Sequence, residues 1–344
     1  MSIHTYLEHF GGLPVADLRP PDSKQPSAVP GRQPEEARRG EPTPPYGIAP
    51  GDHPADAVAW RLRHRHWEDD PELADLYAYF LANVDTTRVT ALIVGAWDVD
   101  MSQENPLPGL LVRDAARFPA LRHLFVGDVV QEESEISWIG IGPSTGLLEA
   151  FPHLEELVLR GSENATEDAP ALTPVRHEHL RRLRFESGGL SGRIVRAVGM
   201  SDLPALEELD MWLGVDDYGG DARVEDLADL LSGTRVPRLR HLGLMNSELQ
   251  NEIAAAIASA AVTPRLESLD LSMGILSNDG AEALLNSRSL GRLRNLTIRH
   301  HFLDDSVAER LRATLRASGV TVEISDPESP RDWGGDPRYV EISE

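Results

Sequence analysis

Few side chains in this sequence stand in patterns that covalent chemistry would need. Gly142-Pro-Ser144-Thr-Gly146 has the G-x-S-x-G spacing that presents a serine nucleophile on a sharp strand-to-helix turn. That turn also requires a histidine and an acid placed by a hydrolase sheet, whereas Ser144 or Thr145 is equally suited to cap a helix, and the cap is expected. His64 and His66 share a strand face, and His177/His179 and His300/His301 are close pairs, but none has the spacing or cysteine partners of a zinc site. Asp216, Asp217 and Asp221 would suit calcium without forming an EF-hand loop. Gly188-Gly189 and Gly219-Gly220 lack the lysine of a phosphate loop. No catalytic residue, cofactor or metal is therefore expected.

Side chains suited to non-covalent recognition are more plentiful. Arg160, Arg182, Arg184, Asp210 and Trp212, with Asp216, Asp217 and Tyr218 beyond them and Trp138 in a separate acidic stretch, combine arginine and aromatic anchors with charge. These residues are far apart in sequence, so a repeat must bring them together. The chain contains one: Leu121-Arg-His-Leu-Phe-Val, Leu154-Glu-Glu-Leu-Val-Leu, Leu180-Arg-Arg-Leu-Arg-Phe, Leu206-Glu-Glu-Leu-Asp-Met, Leu239-Arg-His-Leu-Gly-Leu, Leu266-Glu-Ser-Leu-Asp-Leu and Leu293-Arg-Asn-Leu-Thr-Ile. Val89-Thr-Ala-Leu92-Ile-Val94 reads as a degenerate first member, giving eight strands. A unit that recurs at long period cannot bury its own apolar face, so stacked neighbours make one core and one extended surface.

Successive leading leucines are 33, 26, 26, 33, 27 and 27 residues apart, and each spacer offers a helix. The helices are expected at 107–117, 146–151, 190–198, 224–232, 249–261, 280–286 and 306–318. Alternating strand and helix predicts an α/β leucine-rich repeat solenoid, with a parallel sheet on the concave side and helices outside. Within each strand the leucines point inward, and the residues between and beside them point outward. Those outward positions include five acidic residues (Glu156, Glu186, Glu208, Asp210, Asp270) and four arginines (Arg160, Arg182, Arg184, Arg299), a nearly balanced face. The two longest spacers, around 128–145 and 213–223, leave the same end of the sheet. With Glu163, Glu167 and Asp168 they predict an acidic, aromatic rim, and long loops on rigid scaffolds are where binding residues concentrate.

The spacing and helical spacers resemble the ribonuclease-inhibitor type of leucine-rich repeat over roughly residues 88–324, although the asparagine that follows the last leucine in that type is approximated only by Asn246. Gly12-Leu-Pro-Val, Val58-Ala-Trp-Arg-Leu, Ala91-Leu-Ile-Val-Gly-Ala-Trp97, Ile136-Ser-Trp-Ile and Arg338-Tyr-Val-Glu-Ile-Ser-Glu344 are similar to segments of an uncharacterised bacterial cytosolic leucine-rich repeat family. That resemblance implies no reaction. It does imply relatives encoded beside radical-chemistry and ATP-grasp-like enzymes, and hence the alternative of an accessory subunit or enzyme of a modification pathway, to which the Ser144 pattern would belong.

Around the repeats, the expected organisation is a docking segment at 1–19, a proline-rich disordered linker at 20–57, an N-terminal cap at 58–88, the repeat domain at 89–326 and a C-terminal tail or cap at 327–344. Asp70-Pro71 is expected to open the helix of the cap. Tyr339–Ser343 alternates like a strand, expected either to cap the open end of the ladder or to dock on another protein's sheet edge. A formal net charge of -23 disfavours nucleic-acid backbones and anionic membranes and suits a basic partner. With no cysteine, no apolar run of membrane-spanning length and no signal-like N-terminus, a cytoplasmic, monomeric, non-enzymatic protein- or peptide-binding module is expected.

Overall fold

The computed structural model describes residues 3–19, 47–64, 71–98, 105–163, 170–331 and 338–344. Most of the proline-rich stretch, together with His66, Asp70, Glu167 and Asp168, lies outside the described residues. The chain folds as an α/β protein around one long, mostly parallel sheet.

A short hairpin of β1 (His9–Phe10) and β2 (Leu13–Leu18) begins the sheet, with β3 (Gly47–Ile48) beside β2. β4 (Ala59–Leu62), β5 (Ala91–Val94) and β6 (His123–Val126) follow in parallel. β7 (Gly140–Ile141) pairs with β9 (Ser162–Glu163) in a separate two-stranded ribbon, while β8 (Glu156–Arg160) continues the main sheet. It runs on through β10 (Arg182–Glu186), β11 (Glu208–Gly214), β12 (His241–Ser247), β13 (Ser268–Asp270), β14 (Asn295–His301) and β15 (Thr321–Pro327), each parallel to the one before.

The main sheet thus has 13 strands among the described residues, against the eight expected. The additional strands lack the leucine pattern. β2 and β4 join at one end within segments read as a docking arm and a cap, and β15 extends the other.

The helices that join the rungs are α1 (Leu73–Asn83), α2 (Leu107–Arg113), α3 (Thr145–Ala150), α4 (Gly192–Met200), α5 (Ala228–Ser232), α6 (Gln250–Ser259), α7 (Asn278–Leu285) and α8 (Asp305–Ala317). All seven expected spacer helices are present within a few residues. α1 opens at Leu73 with Glu72 at its N-cap, so Pro71 precedes the helix instead of opening it.

The stripe that each helix buries follows its period: Ile253, Ala254 and Ile257 on α6, and Ala308, Leu311 and Leu315 on α8. These pack against the inward residues of the strands, Leu124, Leu157, Leu183, Leu209, Leu242, Leu269 and Leu296, in one continuous core. Each such leucine contributes about 1.5–3 kcal/mol of burial, repeated rung by rung.

The opposite face of the sheet is covered unevenly. Over β4 to β8 it carries an apolar cluster (Ala59, Ala91, Ile93, Phe125, Val158), on which Leu7 and the hairpin residues Phe10, Leu13 and Val15 pack. Beyond β8 the row of Phe125 and Val158 continues as Arg184 and Asp210.

Candidate functional site

The polar half of the strand face is built from cross-strand charge pairs fixed by the parallel register. Arg182 stands beside Glu156, and Arg184 beside Asp210. Arg182 donates to Glu156 at 3.0 Å, and Glu156 also meets His123 at 2.8 Å, forming a link across β6, β8 and β10. Burial pushes the Glu156 carboxyl up, but hydrogen bonds from His123 and Arg182 outweigh it and hold the pKa at about 2. A second link crosses β10, β11 and β12: Arg184 donates twice to Asp210, at 3.0 and 2.7 Å, while the other Asp210 oxygen lies 2.8 Å from His241. Gly243 makes this possible, because a Cβ there would overlap the Asp210 carboxylate where it leans toward β12.

Next along the face is Asp270, which lacks an ion pair among the described residues. It accepts the Ser272 backbone N–H at 3.0 Å. Burial raises its pKa, with the nearby Asp210 charge acting in the same direction against the Ser272 hydrogen bonds. Burial opposes the charged form of His241, yet contact with Asp210 raises its pKa overall, so Glu156, Asp210 and His241 hold their charges while that of Asp270 is disfavoured.

The second link and Asp270 border a cavity of about 570 Å³ on the strand face. Arg184, Asp210 and Trp212 line it, as do His241, Asp270, Arg299 and Glu323 from later strands. Asp326, near the end of β15, and Glu328 and Glu341, beyond the strands, also line it. The C-terminal segment 338–344 crosses the ends of β14, β13, β12 and β10 in turn. The backbone N–H of Glu341 donates to the Met273 carbonyl at 2.8 Å, and Ile342 is held by the side-chain amide of Asn246. The segment therefore lies over the rim of the middle rungs, and does not cap the exposed end of the ladder.

The predicted recognition residues divide accordingly. Arg184, Asp210 and Trp212 are brought together. Arg160 is only 1% exposed: it pairs with Glu186 at 2.7 Å, donates to the Val129 carbonyl and lies over the Phe125 ring, so the expectation that it faces a partner is corrected. Trp212, 3% exposed, is a wall residue clustered with Ile3, Ile136 and Met273, and is not a protruding anchor. Arg182 lies outside the cavity in its own ion pair.

Asp216 and Asp217 are exposed on a single turn of 3-10 helix, and Asp216 borders a smaller pocket with Glu248. Tyr218, on the same turn, donates its hydroxyl to Glu344. Trp138 is 60% exposed on the first long loop. Ile136 from that loop and Ile342 from the tail share the Trp212 cluster, and Tyr218 of the second long loop meets Glu344 of the tail.

Other candidates have structural uses. Ser144 stands at the N-cap position of α3, but it is buried and donates to the Gly142 carbonyl at 3.0 Å, without capping the helix. Asp221 accepts the Gly192 N–H at the start of α4. His177 and His179 bond to the Phe151 and Pro152 carbonyls. Among the described residues no group of three or more potential ligands could hold a metal ion.

The class that fold and site define is an α/β protein with a mostly parallel, sequentially ordered sheet and an acidic cavity on its strand face. No protein-family model matches the sequence, and neither does any curated protein. Among solved structures, the crystal structure of an uncharacterised protein from Bacteroides fragilis is similar, with a TM-score of 0.68 and 27% identity. The match covers 78% of this chain and 73% of the other. No helix among the described residues is long and apolar enough to cross a membrane.

Proposed function

We propose that the chain is a leucine-rich repeat recognition module that binds a basic segment of a protein partner without covalent chemistry. The repeat reading is supported by strands that pair in sequence order, leucines that all enter one core, and helices on one face only. Such an arrangement suits a curved ladder with its strand face concave.

The observation that carries the partner's chemistry is the charge of the cavity. Six carboxylates line it, while its two arginines, Arg184 and Arg299, are each already paired, with Asp210 and Glu323. A lysine or arginine side chain entering there would pair with Asp270 and relieve the penalty of its burial.

The test is fluorescence anisotropy with a short arginine-rich peptide and a glutamate-rich control. The arginine-rich peptide is expected to bind more tightly, to weaken as salt rises, and to lose about tenfold in affinity to Asp270→Asn combined with Glu323→Gln. Equal affinity for both peptides, or an undiminished affinity in the double variant, would reject the reading.

A further inference from the structure

The rung ends carry a feature that the cavity does not explain. Extending the strand register places Asn246, Met273, His300 and Asp326 at one equivalent position in successive rungs. All four are non-glycine residues in the left-handed region, with φ of 54°, 71°, 52° and 57°. An L side chain adopts that conformation rarely, and such outliers cluster where a ligand is held.

Three members of this column hold the C-terminal segment through its main chain. The Asn246 amide grips both backbone groups of Ile342: its Nδ2 donates to the carbonyl at 2.6 Å, and its Oδ1 accepts the N–H at 3.0 Å. Met273 offers its carbonyl to the Glu341 N–H at 2.8 Å. His300 Nε2 lies 2.8 Å from the Tyr339 carbonyl, which can only accept, so the proton sits on that nitrogen. Two rungs further, just past β10, Gly188 leaves space for the Ser343 carbonyl, which a Cβ there would overlap. Side chains add a pattern: the Tyr339 ring is edge-on to His300 and Phe302, Val340 is buried, and Ile342 joins the Trp212 cluster half-buried.

We infer that this row is a groove that reads the main chain of an extended peptide, and that the chain's own C-terminus occupies it in place of a partner segment. The ligand is an extended segment with an aromatic residue followed by aliphatic, any, aliphatic, as in Tyr339-Val340-Glu341-Ile342. Main-chain contacts are available to any strand of that pattern, which is how peptides add to receptors by backbone pairing. The hold on the tail rests on these backbone links, the Tyr339 ring contacts, buried Val340 and half-buried Ile342. This inference deepens the proposed recognition role and rests on it, since the tail also supplies Glu341 to the cavity wall.

The experiment uses the full-length chain and a labelled peptide with the sequence Arg338–Glu344, alongside a scrambled control. The tethered tail competes at an effective concentration of order millimolar, so wild type should bind the peptide weakly. Ile342→Asp, which releases the tail, should bind it about tenfold or more tightly, and Ile342→Asp with Asn246→Ala should lose that gain. Should the Asn246 variant fail to fold, Ile342→Asp with Gly188→Ala replaces it. A folded Ile342→Asp protein that binds no better than wild type, or equally well with the scrambled peptide, overturns the inference. Light scattering on wild type adds one outcome: a concentration-dependent dimer, lost in Ile342→Asp, would assign the groove to the tail of a second copy and overturn the partner reading. Because this peptide is acidic, its result is independent of the arginine-rich probe of the cavity.

Discussion

Two carboxylates on the same strand face are driven in opposite directions. Glu156 is held ionised by Arg182 and His123, whereas Asp270 is buried without an ion pair and its pKa is raised. A carboxyl with a raised folded pKa contributes stability that is fully present below its unfolded value of 3.8 and is lost as pH rises through the folded value. At neutral pH the ionised Asp270 is therefore destabilising. Asp270→Asn is expected to raise the melting temperature at pH 7 by roughly 2 °C, as ~1 kcal/mol would in a chain of this size, and to change little near pH 3. Calorimetry at the two pH values checks this. A stabilising loss of charge that also weakens an arginine-rich ligand would be the trade expected of a binding residue. A drop in melting temperature at pH 7 would show that the Ser272 hydrogen bonds outweigh the burial.

Among the elements, the leucine-bearing strands and their helices were legible because each carries a period that burial imposes, two in the strand and 3.6 in the helix. β4, within the segment expected as a cap, was not legible as a rung: Trp60 and Leu62 point into the core without the leucine sequence, and Arg61 between them is buried in ion pairs with Asp17 and Asp128. The site was legible only where register alone decides it, as for Arg184 beside Asp210. Arg160 was misread because nothing in its own strand announces Glu186 and Phe125 closing around it. The column Asn246, Met273, His300 shares no residue type, so its 27-residue spacing was the only available signal.

Glycine placement at this scale is testable. Gly243→Ala should push the Asp210 carboxylate away from His241, since the added Cβ overlaps it. The His241 pKa, raised by that contact, should fall toward its ordinary value in an NMR titration, with a stability loss of about 1–3 kcal/mol. An unchanged titration would mean that Asp210 is not what holds the His241 proton.

Across the whole molecule, the N-terminal hairpin converts half of the strand face from surface to interior. Phe10 is the centre of that cover, in ring contact with His123 and Phe125. Phe10→Ala is expected to cost about 3–5 kcal/mol. Faster amide exchange should be confined to β1, β2, β5 and β6, with β11 to β14 unaffected; uniform loss of protection would indicate that the ladder unfolds as one unit. Most contacts in this fold join a rung to its immediate neighbour, so folding can begin as soon as a few rungs exist. The cluster around Trp212 is different, because Ile3 and Ile342 both belong to it. During synthesis residue 3 emerges before the rungs and must wait for residue 342, long after the rungs between them can have formed. The last apolar cluster to close is therefore the one that joins the segments on either side of the ladder, and a translation product cut short after the ladder would leave Trp212 and Met273 without Ile342 over them.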